Sequence, residues 1–281
     1  MAWALLATSL AFLAHFRKIA FIIALFAVIA GISTNILAYP AIITLIAITI
    51  LGLTHCYCKK HTYCKKRAIF SILTESLLFI SCILLFIHYL PGFDNLKYLD
   101  KVQAGPLSAP FSMYFNFDKA LLPFILLCCL PTLFMRTPVV NAPPHGWSLL
   151  IVSIPALLSL ATALGGLSVE LHLPDWLSAF IVANLFFVSL AEEALFRGYI
   201  QQKLSQKMNP YLALAITALL FGGAHFAGGI LMVIFATLAG LVYGLSWMWS
   251  GRLWTAVAFH FTLNLIHLLF FTYPIKLVGM I

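Results

Sequence analysis

The 281-residue chain is 63% hydrophobic and only 9% charged, with a mean hydropathy of +1.05. A soluble domain carries roughly 25% charged residues. This composition therefore excludes a water-soluble globular protein and indicates a polytopic membrane protein of all-α class. The net charge of +8 does not indicate nucleic acid as a partner, because the basic residues gather in short loops, as on one face of a lipid bilayer.

Apolar runs separated by charges or turn residues give about ten candidate spans, at 2–16, 19–37, 40–55, 68–90, 120–135, 148–168, 176–197, 211–227, 229–249 and 255–272. The first, third and fifth are short for the ~20 residues a bilayer requires, so the bundle is expected to have 8–10 spans. The first run has no basic residue before it and is followed by Arg17 and Lys18. That order is the reverse of a secretory signal and predicts a retained span.

The basic clusters follow the first, third, fifth, seventh and ninth runs: Arg17 and Lys18; Lys59 to Arg67; Arg136; Arg197, Lys203 and Lys207; Arg252. All then fall on one side, which the positive-inside rule makes cytoplasmic, with both termini outside. A bacterial inner membrane is the expected location. The periplasmic loop 91–119 is the longest extramembrane piece, and its aromatic end, Met113 to Phe117, is expected at the membrane interface. The turn-rich stretch TPVVNAPPHGW at 137–147 divides an accessory half, 1–145, from a functional half, 146–281.

The six cysteines do not form an extracellular disulfide pattern. His55, Cys56, Cys58, His61 and Cys64 invite a zinc reading. Their spacing fits no standard finger, and the neighbouring lysines favour a loop that contacts anionic lipid.

Ionisable groups inside apolar runs are costly and mark functional sites. The run 176–197 ends in Glu192, Glu193 and Arg197. On a helix, Glu193 and Arg197 share a face and are read as a structural ion pair that supports the site. Glu192 points elsewhere, about 100° around the axis. It is expected to lack a local partner and to act as a base. His225 lies in FGGAH, and His260 and Asn264 lie one helical turn apart in HFTLN. His225 is placed to share a water with Glu192. His260 and Asn264 are placed to donate hydrogen bonds to one oxyanion. Interhelical hydrogen bonding is the plainer reading of that pair. His88 and His267 are read as packing histidines. One tension remains: with straight helices, Glu192 and His225 miss each other in depth. Either 198–210 re-enters the membrane or Gly222 and Gly223 break the helix.

The three motifs, EEALFR at 192–197, FGGAH at 221–225 and HFTLN at 260–264, resemble EExxxR, FxxxH and HxxxN of the CAAX-protease and bacteriocin-processing family of intramembrane proteases, relatives of the CAAX prenyl endopeptidase. The resemblance covers a motif core at 176–270. It implies an intramembrane endopeptidase in which Glu192 and His225 activate water while His260 and Asn264 stabilise the oxyanion. No cofactor is implied, and the substrate is a membrane-anchored or lipidated protein or peptide. Three other readings use the same residues: a zinc-dependent version with Glu192, His225 and His260 as ligands, a non-catalytic immunity or scaffold protein, and a proton-coupled transporter.

Overall fold

The computed structural model describes residues 1–60 and 65–277. It is a polytopic helical bundle. Among the described residues, six helices are long and apolar enough to cross a membrane. The helices are α1 (Ala2–Phe12), α2 (Arg17–Ser33), α3 (Tyr39–Lys60), α4 (Lys65–Phe86), α5 (Phe117–Ala120), α6 (Leu122–Cys129), α7 (Gly146–Ala163), α8 (Leu177–Ser205), α9 (Pro210–Gly223), α10 (Gly229–Ser250) and α11 (Leu253–Phe270). A two-stranded antiparallel hairpin, β1 (Leu96–Val102) and β2 (Phe111–Phe115), stands between α4 and α5. His61 and Cys64 of the basic loop lie outside the described residues. Cys56, Cys58, Cys82, Cys128 and Cys129 are free thiols.

Burial distinguishes α8 from the other spans. Of its apolar stretch 67% is buried, against 22–28% in the other five. Those five keep an apolar stripe outward, such as Ile43, Ile46, Ile50 and Leu53 on α3, as helices facing lipid do. A helix buried on nearly all sides can hold charged groups away from lipid, and α8 is the one that carries Glu192, Glu193 and Arg197.

The chain forms two compact units whose segments alternate along the sequence. One contains Met1–Leu96, Phe115–Leu133 and Phe186–Leu195; the other contains Lys97–Tyr114, Phe134–Leu185 and Phe196–Ile281.

In the first unit, α1 pairs with α2, and α3 with α4, while α6 packs on α3 and α4. The fifth expected span, 120–135, is only the eight-residue α6, about 12 Å long and far short of a ~30 Å hydrocarbon core. It is apolar on every side, and Leu122 to Leu127 and Cys129 are all buried. Arg17 donates to the carbonyl of Pro131 at 2.9 Å, and Lys59 to that of Cys129 at 2.7 Å. The basic residues after α1 and at the end of α3 are therefore at the same end of this unit. Phe115 and Phe117 are buried against Trp3, with ring centroids 5.6 Å apart in each case. The aromatic end of the 91–119 loop thus packs inside the protein, with Tyr114 left exposed by the alternation of the strand.

In the second unit, α9, α10 and α11 pack in sequence, and α7 lies on α10 and α11. Asn209 caps α9 by accepting the Tyr211 N–H at 2.9 Å, with Pro210 at the first helical position. A clasp joins two loops: Glu170 accepts from the Leu107 N–H at 2.8 Å, from Ser108 Oγ at 2.7 Å and from His172 Nε2 at 2.9 Å. His172 Nδ1 also donates to the Leu268 carbonyl at 2.6 Å.

Candidate active site

The helix α8 is not a uniform α-helix. Ala183–Ser189 and Ala194–Gln201 are π-helical and flank a single α-turn, Leu190–Glu193. π-Helical turns interrupt the i→i−4 ladder and occur frequently at functional sites. The sequence has no proline in this stretch and carries no sign of them. The helix also continues to Ser205, beyond the end expected at 197, so Glu192 lies mid-helix rather than near its end.

Glu192 and Glu193 belong to the first unit and are 5% and 0% exposed. Glu192 has a partner from far along the chain. Lys119 Nζ lies 3.6 Å from Glu192 Oε1, and only 16% of the Lys119 side chain is exposed. An ammonium at that distance offsets the cost of burying a carboxylate. Lys119 read from sequence as one more loop charge, because the contact spans a wide stretch of chain.

The second unit gathers Arg197, His225 and His260 around one ring, Phe221. The Arg197 guanidinium lies 4.4 Å from its centroid, His225 4.8 Å, Phe196 5.1 Å and His260 5.8 Å. Arg197 is fully buried. It donates to the Gly240 carbonyl at 3.0 Å and lies 5.2 Å from the Tyr243 ring. Cation–π contacts of this kind stabilise a desolvated guanidinium. Gly240 permits the approach, because a Cβ there would lie 3.2 Å from both Ala218 Cα and an Arg197 nitrogen.

His225 sits in the bend between α9 and α10, at the start of the 3₁₀ turn Phe226–Gly228. The helix therefore breaks after Gly223, as one of the two expected solutions required, and Arg197 meets Phe221 one turn before His225. His225 Nδ1 is 2.8 Å from the Phe221 carbonyl. A carbonyl only accepts, so Nδ1 carries the hydrogen, and in the neutral ring Nε2 is the acceptor.

His260 is 4% exposed and stacks on Tyr243, with centroids 4.7 Å apart and planes at 10°. One turn on, the Asn264 amide donates to Asn184 Oδ1 at 3.3 Å. Asn184 is 6% exposed on the π-helical part of α8. It escaped the sequence reading, although an amide inside an apolar run is the same signal that singled out Glu192.

His88 is not a packing histidine. Its side chain is 40% exposed, its φ is +57°, and Nδ1 lies 2.6 Å from Asp118 Oδ2. His267 packs as expected, edge-on to Tyr273 at 5.0 Å and hydrogen-bonded to the Thr272 carbonyl. Among the described residues, no three His, Cys, Asp or Glu side chains gather as metal ligands would.

No curated protein and no solved structure matches the chain. Residues 174–266, about a third of its length, match a protein-family model. That stretch contains all three motifs and Asn184, and the family model it matches is described as type II CAAX prenyl endopeptidase Rce1-like.

Proposed function

We propose that the chain is an intramembrane endopeptidase that hydrolyses a peptide bond of a membrane-anchored or lipidated protein, with Glu192 as the base that activates water. The observation that carries this reading is the gathering of Arg197, His225 and His260 around Phe221, within a segment that matches a prenyl endopeptidase family.

The chemistry follows from the donor and acceptor inventory. In this reading Glu192 takes one proton from a water that His225 helps to orient, as the oxygen of that water attacks the scissile carbonyl. The tetrahedral oxyanion accepts from the His260 ring N–H and from the Asn264 amide, whose other hydrogen is engaged by Asn184. Glu192 returns the proton to the leaving nitrogen as the C–N bond breaks. No covalent intermediate forms and no cofactor is required, so turnover is expected to survive metal chelation. In this reading 146–281 supplies the reacting groups and 1–145 supports them. The basic loops face the cytoplasm of a bacterial inner membrane.

The test is a comparison of protein termini in membranes from cells carrying the wild-type chain or Glu192→Gln. A defined set of membrane-anchored proteins that keep an uncut terminal segment only in the variant is the expected result. Identical termini, with the variant accumulating normally, would remove the hydrolytic reading and favour a scaffold or immunity role.

A further inference from the structure

We propose that Lys119 is the positioning residue for Glu192: it is brought to the carboxylate by a short helix pinned from outside the matched segment, and it holds Oε1 in place for proton transfer. The inference rests on the hydrolytic reading above.

Several independent contacts fix this lysine. Its ammonium lies 3.6 Å from Glu192 Oε1 and 4.5 Å from the Phe86 ring centroid. A cation set over a ring face and enclosed has little of the rotamer freedom usual for lysine. The backbone beneath it is tied as well. Asp118 is 1% exposed and accepts from His88 Nδ1 at 2.6 Å and from Asn95 Nδ2 at 3.1 Å. Asn95 Oδ1 in turn accepts the Phe117 N–H at 2.8 Å, and Asp118 Oδ1 accepts the Lys119 N–H at 2.8 Å. The two residues before the lysine are thus anchored to His88 and Asn95, in the stretch between α4 and β1.

The pairing bears on the reaction. A base must present one oxygen to the water throughout the proton transfer, and small displacements of reacting groups are costly in rate. A buried carboxylate facing a fixed ammonium has one oxygen held in orientation. Lys119 donates no proton and touches no substrate atom in this scheme, so it is not a catalytic residue.

The test extends the comparison of termini, with the full-length chain in its membrane, to Lys119→Met and Lys119→Arg. Cuts that depend on Glu192 are expected to vanish in Lys119→Met and to return in Lys119→Arg, both variants accumulating normally. A peptide spanning the cleavage site found this way is then followed with the purified chain in lipid nanodiscs. Lys119→Met is expected to lower kcat by about 100-fold while KM stays within about twofold. Cuts that need Glu192 but persist in Lys119→Met overturn the assignment and leave the hydrolytic reading intact. A raised KM at unchanged kcat also overturns it, making Lys119 a substrate contact. No Glu192-dependent cut at all removes the hydrolytic reading and this inference together. Should Lys119→Met fail to accumulate, the double variant Lys119→Met/Glu192→Gln is expected to recover, because neither charge is left buried alone. Failure of the double variant as well would mean that Lys119 holds the fold through something other than Glu192, contrary to the proposal.

Discussion

At the scale of single residues, the site is built from pairs that fix donors and acceptors. His225 owes its tautomer to the Phe221 carbonyl, and Asn264 owes the direction of one amide hydrogen to Asn184. Removing Asn184 would let the Asn264 amide rotate away from the oxyanion without touching substrate binding. Asn184→Ala is therefore expected to reduce kcat about tenfold or more at unchanged KM, measured by steady-state hydrolysis. The motif residues were legible in the sequence because each is a polar group in an apolar run. Lys119 was not legible as a partner of Glu192. Its neighbours FNFDK read as the end of a loop, and nothing local reveals a contact across so much chain.

At the scale of elements, two helices decide the geometry: α8, with its paired π-helical stretches, and α9, which ends early. The break after Gly223 followed from sequence as one of two solutions to a mismatch in depth. The π-helical turns did not, since no residue pattern in ANLFFVS or ALFRGYIQ separates them from an ordinary helix. The short buried α6 was also hidden, because an apolar run reads the same whether it faces lipid or protein. Close packing of α9 on α10 depends on Gly222, where a Cβ would come within 2.7 Å of the Val233 carbonyl. Gly222→Ala is expected to destabilise the bundle by about 1–3 kcal/mol, read as a lowered melting temperature in detergent. An unchanged melting temperature would mean that α9 and α10 are free to separate at this point.

At the scale of the whole molecule, the composition and the alternation of basic loops were enough to give a polytopic helical bundle. The loop clasp was not visible, because it depends on side chains that meet across long stretches of sequence. In the clasp, burial on its own would raise the Glu170 carboxyl. The hydrogen bonds from Ser108, the Leu107 N–H and His172, together with the charge of His172, outweigh it and hold Glu170 below the usual carboxylate range. A carboxyl depressed in the folded state contributes stability above its unfolded pKa, about 4.3. That contribution is lost as pH falls through the folded value. The melting temperature of the wild-type chain should therefore drop below pH ~4 more steeply than that of Glu170→Gln, which lacks the titrating group. Parallel curves would show that the clasp is not sensed by folding.

The central claim is that Glu192 is the base that activates water. Its most direct test is the rate at which purified chain in lipid nanodiscs cleaves the peptide recovered from the comparison of termini, wild type against Glu192→Gln. The account requires Glu192→Gln to lose at least about 100-fold in kcat, the range of a positioned general base, with the peptide still bound. Cleavage by Glu192→Gln at the wild-type rate would contradict it and move the chemistry to another group.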